Sequence, residues 1–287
     1  MISILVCSIS EERLANLQAN IAQTIGVEYE LLHIDNRVEK LSLSAAYNRL
    51  GERAAYPFLL FLHEDVKFIE QNWGKILEAK LQEPSCGVIG LAGSLYKSFA
   101  PSGWRVNAEF VRQNFYSYND GKRQYNYTNP NQEEFSQVIT TDGMFLCCTK
   151  RVWDQTRFDE KLFTGFHLYD LDFSMAVSQK QTNWICNTIR MEHHSNGSFD
   201  QTWFDWTELF HQKWDKFLPR YVGKLSNQEI EACEQRAAYN IAYSALKKGF
   251  ATPHERRVLV WRTLRMTPLR INNIELVVRY LKSLLTN

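Results

Sequence analysis

Five apolar residues in a row, Phe58-Leu59-Leu60-Phe61-Leu62, run directly into His63-Glu64-Asp65, and this junction limits the fold more than any other stretch. An unbroken apolar run of strand length reads as a strand covered on both faces, as in sheets flanked by helices. An imidazole and two carboxylates are costly to bury unpaired, so the strand must carry them to a rim. In open α/β sheets ligands bind beyond the carboxyl ends of the strands, and there these three side chains could handle a divalent cation and a phosphorylated ligand. A strand ending in a solvated acidic turn would look the same. The rest of the chain has to separate the two.

The segments ahead of it alternate strand and helix. Residues 2–7 form an apolar strand ending at Ser8, and Ser10 can cap a helix that begins at Glu11 and repeats Leu14, Leu17, Ile21 and Ile25 at helical spacing. A short strand over 30–34 ends at Asp35-Asn36, and Ser42 can cap a helix through Ala45, Tyr47, Leu50 and Ala54. A helix over 71–81 and a strand over 87–93 continue the rhythm. Three strands alternating with two helices predict a parallel, doubly wound sheet with Ser8, Asp35 and His63-Glu64-Asp65 on one rim.

Between 96 and 137 the rhythm breaks into Ser, Asn, Gly, Pro and aromatic residues, among them Trp104, Tyr116, Tyr118, Tyr125 and Tyr127. This reads as a strand-poor flap over the rim, with a β-hairpin insertion as the other option. A strand-like run over 138–148 is interrupted by Asp142-Gly143, where a glycine marks a bulge or a close approach by ligand. A helix near 150–156 is followed by Tyr169-Asp170-Leu171-Asp172 at the head of another helix, and acids there also have a plain explanation in the helix dipole. Beyond a strand candidate at 184–188, His193-His194 ahead of Gly197-Ser198 is either a surface turn or a source of metal ligands.

Hydrophobic residues at 45% and charged residues at 23% are ordinary for a soluble globular chain of 287 residues. With no apolar run near a membrane span and no basic n-region, the expected location is cytoplasmic. The six cysteines (Cys7, Cys86, Cys147, Cys148, Cys186, Cys233) form no CxxC pair, which favours reduced core thiols over zinc. A net charge of +1 conceals an asymmetry: residues 247–287 hold nine Lys/Arg against two acids, or +7, leaving −6 elsewhere. From 199 onward amphipathic helices dominate, and polar faces bearing Arg256, Arg257, Arg262, Arg265, Arg270, Arg279 and Lys282 suit a solvated surface or contact with an anionic membrane. No nucleic-acid module accompanies them, so no nucleic-acid partner is expected.

Taken in order, these segments resemble the family 2 glycosyltransferases of GT-A fold. The match covers residues 1–200, leaving 201–287 as a helical C-terminal extension. It implies an α/β, Rossmann-like domain with a mostly parallel central sheet flanked by helices. By the same resemblance Ser8, Asp35 and Asn36 hold the nucleotide, Asn48 of Ser44-Ala45-Ala46-Tyr47-Asn48-Arg49 faces the donor, and Glu64 and Asp65 stand at the Asp-x-Asp metal motif. Asp142-Gly143 and Asp172 fall on the acceptor side, Asp170 matches the catalytic base, and His193 a late ligand that joins Asp65 on Mn²⁺ or Mg²⁺.

The implied activity is inverting, divalent-metal-dependent transfer of a hexose-type sugar from a nucleoside-diphosphate sugar, expected to be a UDP-sugar, to a glycan or lipid-linked acceptor. The implied setting is bacterial polysaccharide biosynthesis, with peripheral contact at the inner face of the membrane as an option for the basic helices. Two positions depart from the pattern: His63 replaces the first Asp of Asp-x-Asp, and Tyr169 replaces the usual Glu. They keep open a non-catalytic module that binds sugar nucleotides or glycans. A nucleotidyltransferase is disfavoured, because no Gly-rich basic loop follows the first strand.

Overall fold

A computed structural model describes residues 1–119, 121–195, 197, 199–267 and 272–285; Ser198 and Arg270 lie outside the described residues. In chain order the elements begin β1 (Ile2–Ser8), α1 (Glu11–Thr24), β2 (Tyr29–Asp35), α2 (Asn36–Glu39), α3 (Leu43–Arg53), β3 (Phe58–Leu62), β4 (Val66–Phe68) and α4 (Trp73–Leu81). They continue with β5 (Cys86–Gly90), β6 (Ala92–Ser94), β7 (Tyr96–Lys97), β8 (Val111–Asn119), β9 (Lys122–Thr128), β10 (Phe135–Val138), β11 (Thr140–Thr141) and β12 (Phe145–Thr149). Then come α5 (Lys150–Thr156), α6 (Tyr169–Val177), β13 (Thr182–Cys186), β14 (Met191–His193), α7 (Gln201–Trp214), β15 (Arg220–Tyr221), α8 (Asn227–Lys248), α9 (Pro253–Met266) and α10 (Asn272–Leu285). The chain divides into one unit of Met1–Leu95 and Val111–Asn196 and a second of Tyr96–Phe110 and Gly197–Asn287. Residues 96–110, expected in the first part of the chain, therefore group with the C-terminal helices.

The first unit is built on a seven-stranded sheet of order β10-β13-β5-β12-β3-β1-β2. β1 runs parallel to β2 and β3, and β13 runs parallel to β5. β12 is antiparallel to both of its neighbours and β10 is antiparallel to β13, so the sheet is mixed, with the parallel arrangement confined to two blocks. β3 is buried along its whole length, as its apolar run requires. On one side Phe61 meets Tyr47 at 5.2 Å and Phe158 at 4.9 Å between ring centroids, and Phe158 stacks on Phe173 at 4.3 Å. Ser10 caps α1 and Ser42 caps α3 through their side-chain oxygens.

A second sheet of order β11-β6-β8-β14-β4, with β9 paired to β8, fills the region expected to be a strand-poor flap. The alternative of a hairpin describes it: β8 and β9 pair from Gln113 and Thr128 to Asn119 and Lys122, around a turn in which Gly121 adopts φ +74°. Its tyrosines stack on one another, Tyr116 on Tyr125 at 4.5 Å and Tyr125 on Tyr127 at 5.6 Å, and the Arg123 guanidinium lies 3.7 Å from the Tyr116 ring centre. Ring faces taken up in this way support the hairpin itself.

In the second unit α8 and α9 each start with a capping box, Ser226 with Glu229 and Thr252 with Glu255, and Gly249 at φ +80° ends α8. Glu234 on α8 accepts from Phe99 N, Ala100 N and Tyr96 Oη, which explains why 96–110 belongs here. Lys97 is fully buried, with its Nζ 2.7 Å from Ser102 O and 3.1 Å from His211 Nε2. No helix among the described residues is long and apolar enough to cross a membrane. All six cysteines are free, and only Cys7 is less than fully buried.

Candidate active site

Strand pairing assembles the site. β14 lies antiparallel to β4 with His193 opposite Val66, so an imidazole remote in sequence arrives next to Asp65. The β3–β12 pairing continues past Leu62 through His63 N–H donating to Met144 O at 3.2 Å, which brings Asp142-Gly143 alongside His63. Leu168, at φ +61°, turns the chain into α6 and presents Tyr169 and Asp170 at its first turn.

His63, Asp65 and His193 each offer a ligand atom, and all of these lie within 4.8 Å of one another. His193 Nε2 is 3.5 Å from both Asp65 Oδ1 and His63 Nδ1. His63, a departure from the resembled metal motif but one of the three strand-end residues expected to handle a cation, groups with the other two. Burial works to raise the Asp65 pKa, but the hydrogen bond and charge of His193 outweigh it and hold the carboxyl down at about 2. Burial likewise opposes a charge on His193, and Asp65 overcomes it so that this imidazole titrates above its ordinary value. His63 shifts the other way, kept neutral first by burial and then by repulsion from His193. A cluster of two imidazoles and one carboxylate is a plausible donor set for a divalent transition metal with open coordination positions. The adjacent His194 turns away, stacking on Tyr118 at 4.6 Å.

Asp170 keeps part of its surface open, and its Oδ2 accepts from Gly143 N–H at 2.8 Å. Burial, reinforced by the charge of Asp142, pushes its pKa up to about 7. Asp142 accepts from Met144 N–H at 3.0 Å and is half-buried. Tyr169, which replaces the usual acid, has its hydroxyl 2.9 Å from His63 Nε2 and 3.2 Å from Gly143 O. The two departures from the expected pattern thus touch each other, a relation that no spacing in the sequence could signal.

Other expected site residues have different tasks. Glu64 accepts from Ser8 Oγ at 2.6 Å and from Ile9 N–H and Ser10 N–H, each at 3.1 Å, so Ser8 and Glu64 lock the turn after β1. Asp35 caps α2 and is paired with Arg37, whose hydrogen bond lowers the carboxyl pKa. Both ends of the Asn36 amide bond the Leu41 backbone. Asn48, expected to face the donor, bonds Phe158 N and O and Glu160 instead. Asp172, expected on the acceptor side, is buried to 2% exposure. Ser8 and Asp35 remain side by side at the ends of β1 and β2, whereas Asn36, Asn48 and Asp172 are buried.

The mixed sheet and the hairpin sheet beside it, with a His–Asp–His cluster next to a carboxylate, are those of a GT-A glycosyltransferase fold. A crystal structure of S. aureus TarS residues 1–349 in complex with UDP aligns with a TM-score of 0.57 and 12% identity, over 98% of this chain and 88% of the other. The TarS 1–349 complex with UDP-GlcNAc aligns with a TM-score of 0.52 and 12% identity, over 85% and 72%. GalNAc-T7 with UDP, GalNAc and Mn²⁺ reaches a TM-score of 0.49 at 11% identity; the chain is covered to 86% but spans only 51% of that protein. No curated protein matches the chain by sequence. Residues 3–216 match the family described as "Glycosyltransferase like family", and the chain belongs to it.

Proposed function

We propose that this protein is an inverting glycosyltransferase that moves a sugar from a UDP-sugar to a hydroxyl of a glycan or lipid-linked acceptor. His63, Asp65 and His193 are its cation ligands and Asp170 is its base. The carrying observation is that Asp65 and His193, far apart in the chain, approach to 3.5 Å in the unit that also holds Asp170. Two nitrogen ligands favour Mn²⁺ over Mg²⁺, which prefers oxygen and strict octahedral geometry. When bound, the cation offsets the negative charge that grows on the departing diphosphate.

The protein's own groups perform the rest. Asp170, with a pKa near 7, is matched to taking the acceptor hydroxyl's proton as that oxygen attacks the anomeric carbon. Attack opposite the leaving UDP inverts the centre. Gly143 N–H holds Oδ2 in place, and Asp142 raises the basicity of Asp170 and contacts acceptor hydroxyls. The UDP and UDP-GlcNAc complexes of TarS support uridine in the donor. The basic helices support a cytoplasmic protein that rests peripherally on the inner face of a bacterial membrane and assembles a polysaccharide.

A thermal-shift screen of nucleotide sugars with and without Mn²⁺ tests the donor, because a ligand of the folded state raises its apparent stability. A UDP-sugar with Mn²⁺ should give the largest shift, and NMR of the product should show the opposite anomer from the donor. Asp170→Asn should bind donor and fail to transfer it; transfer at the wild-type rate would remove the assigned base. A binding module on the same fold would show the shift and no turnover of donor with any acceptor.

A further inference from the structure

We infer that Tyr169 is a positioning residue that ties the cation-binding cluster to the base, setting the tautomer of His63 and anchoring the backbone of Gly143, the residue whose N–H holds Asp170. The inference rests on reading His63, Asp65 and His193 as cation ligands. An imidazole coordinates through a nitrogen that carries a lone pair, so its proton must sit on the other nitrogen and needs an acceptor. His63 Nδ1 faces His193 and Asp65, and Nε2 lies 2.9 Å from the Tyr169 hydroxyl. With Nε2–H donating to Tyr169 Oη, the hydroxyl is free to donate onward to Gly143 O at 3.2 Å. The same glycine's N–H donates to Asp170 Oδ2 at 2.8 Å. Two hydrogen bonds thus link a proposed metal ligand to the Gly143 carbonyl, and across that residue's Cα its N–H holds the base.

The surroundings hold this link in place. Tyr169 is 4% exposed and its ring packs against Tyr47 and Phe158, which prevents the hydroxyl from swinging aside. A Cβ at position 143 would come within 2.2 Å of the Tyr169 oxygen and 3.0 Å of Asp170 Cβ, so the close approach depends on glycine. The residue types fit as a pair. Where the resembled pattern has two acids, this chain has an imidazole and a phenol, a neutral couple that adds no negative charge beside Asp142 and Asp170.

The test is calorimetric Mn²⁺ binding to the full-length protein, free of nucleotide and acceptor. Tyr169→Phe keeps the ring and removes the hydroxyl, and it should weaken Mn²⁺ roughly 10- to 100-fold, as loss of a ligand's outer hydrogen bond does. In a His63→Ala background the same change should add nothing. Equal losses in both backgrounds would mean that Tyr169 acts on the fold in general, and an unchanged affinity in Tyr169→Phe would also overturn the assignment. Side-chain ¹⁵N NMR of the wild-type protein needs no variant: it should report His63 protonated at Nε2, and protonation at Nδ1 would refute the proposal. If the wild type binds no Mn²⁺, the ligand reading itself falls and takes this inference with it. Binding by the wild type with no effect of the variant sinks the inference alone.

Discussion

At the scale of single residues, Asp170 couples acidity to both activity and stability. As the proposed base it would act in its carboxylate form, so kcat should rise through about pH 7 and level off above it. Asp142→Asn removes the neighbouring charge and should move that rise to lower pH; a profile flat from pH 5 to 9 would exclude Asp170 as base. For stability the sign reverses. The folded chain keeps this proton up to about 7, whereas an unfolded carboxyl releases it near 4, so stability falls as pH climbs between those values. Asp170→Asn should accordingly stabilise the protein at pH 8, by on the order of 1–3 kcal/mol in urea unfolding. Asn48 makes the opposite case. Its amide satisfies Phe158 N and O, so Asn48→Ala should cost about 1–3 kcal/mol and leave the donor KM unchanged, whereas a raised KM with intact stability would return it to the donor site. The family resemblance singled out Asn48, and the strand end singled out Glu64. Neither could reveal which neighbours reach them, because Phe158 and the turn after β1 arrive only through tertiary packing.

At the scale of elements, what was legible followed local physics. The apolar run of β3, the Ser10 and Ser42 caps and the helix over Lys150–Thr156 are each written in neighbouring residues, and all appear in the structure. The β8–β9 hairpin was harder to read, because its tyrosines alternate with polar residues instead of aliphatic ones and its turn glycine is one among several loop-forming residues. β14 was hidden for another reason: its three residues become a strand only between β4 and β8. The tyrosine pile invites a reading as a sugar platform, but Tyr125 stacks on a ring at each side, Tyr116 and Tyr127. Tyr125→Ala should thus lower stability by about 0.5–1.5 kcal/mol with little change in acceptor KM. Loss of acceptor binding at unchanged stability would reverse that view.

At the scale of the whole molecule, the C-terminal unit carries charge of the opposite sign to the rest of the chain. On α9, Trp261 is 59% and Val258 50% exposed, and together with Arg257, Arg262, Arg265 and Met266 they line an open groove of about 580 Å³. α10 adds the exposed apolar residues Ile274, Val278 and Leu281. Aromatic and aliphatic side chains ringed by arginine suit the boundary between lipid headgroups and acyl chains. The full-length protein should sediment with vesicles containing phosphatidylglycerol and not with purely phosphatidylcholine vesicles, and the interaction should weaken with salt. Trp261→Glu should reduce binding at least several-fold without altering transfer to a soluble acceptor. Equal sedimentation with both kinds of vesicle would deny the charge-driven contact.

The lock on the turn after β1 has one more implication. Amide N–H groups beside the start of a helix make a natural seat for a phosphate, but here Ile9 and Ser10 already surround the carboxylate of Glu64. The chain has plugged that seat with an anion of its own. On the proposed function, a nucleoside diphosphate arriving at this rim finds the Ile9 and Ser10 amides already taken, which leaves its charge to the proposed cation and to side chains such as Arg13. Chelation should therefore weaken nucleotide binding itself, rather than merely slowing turnover of a nucleotide that stays equally well bound.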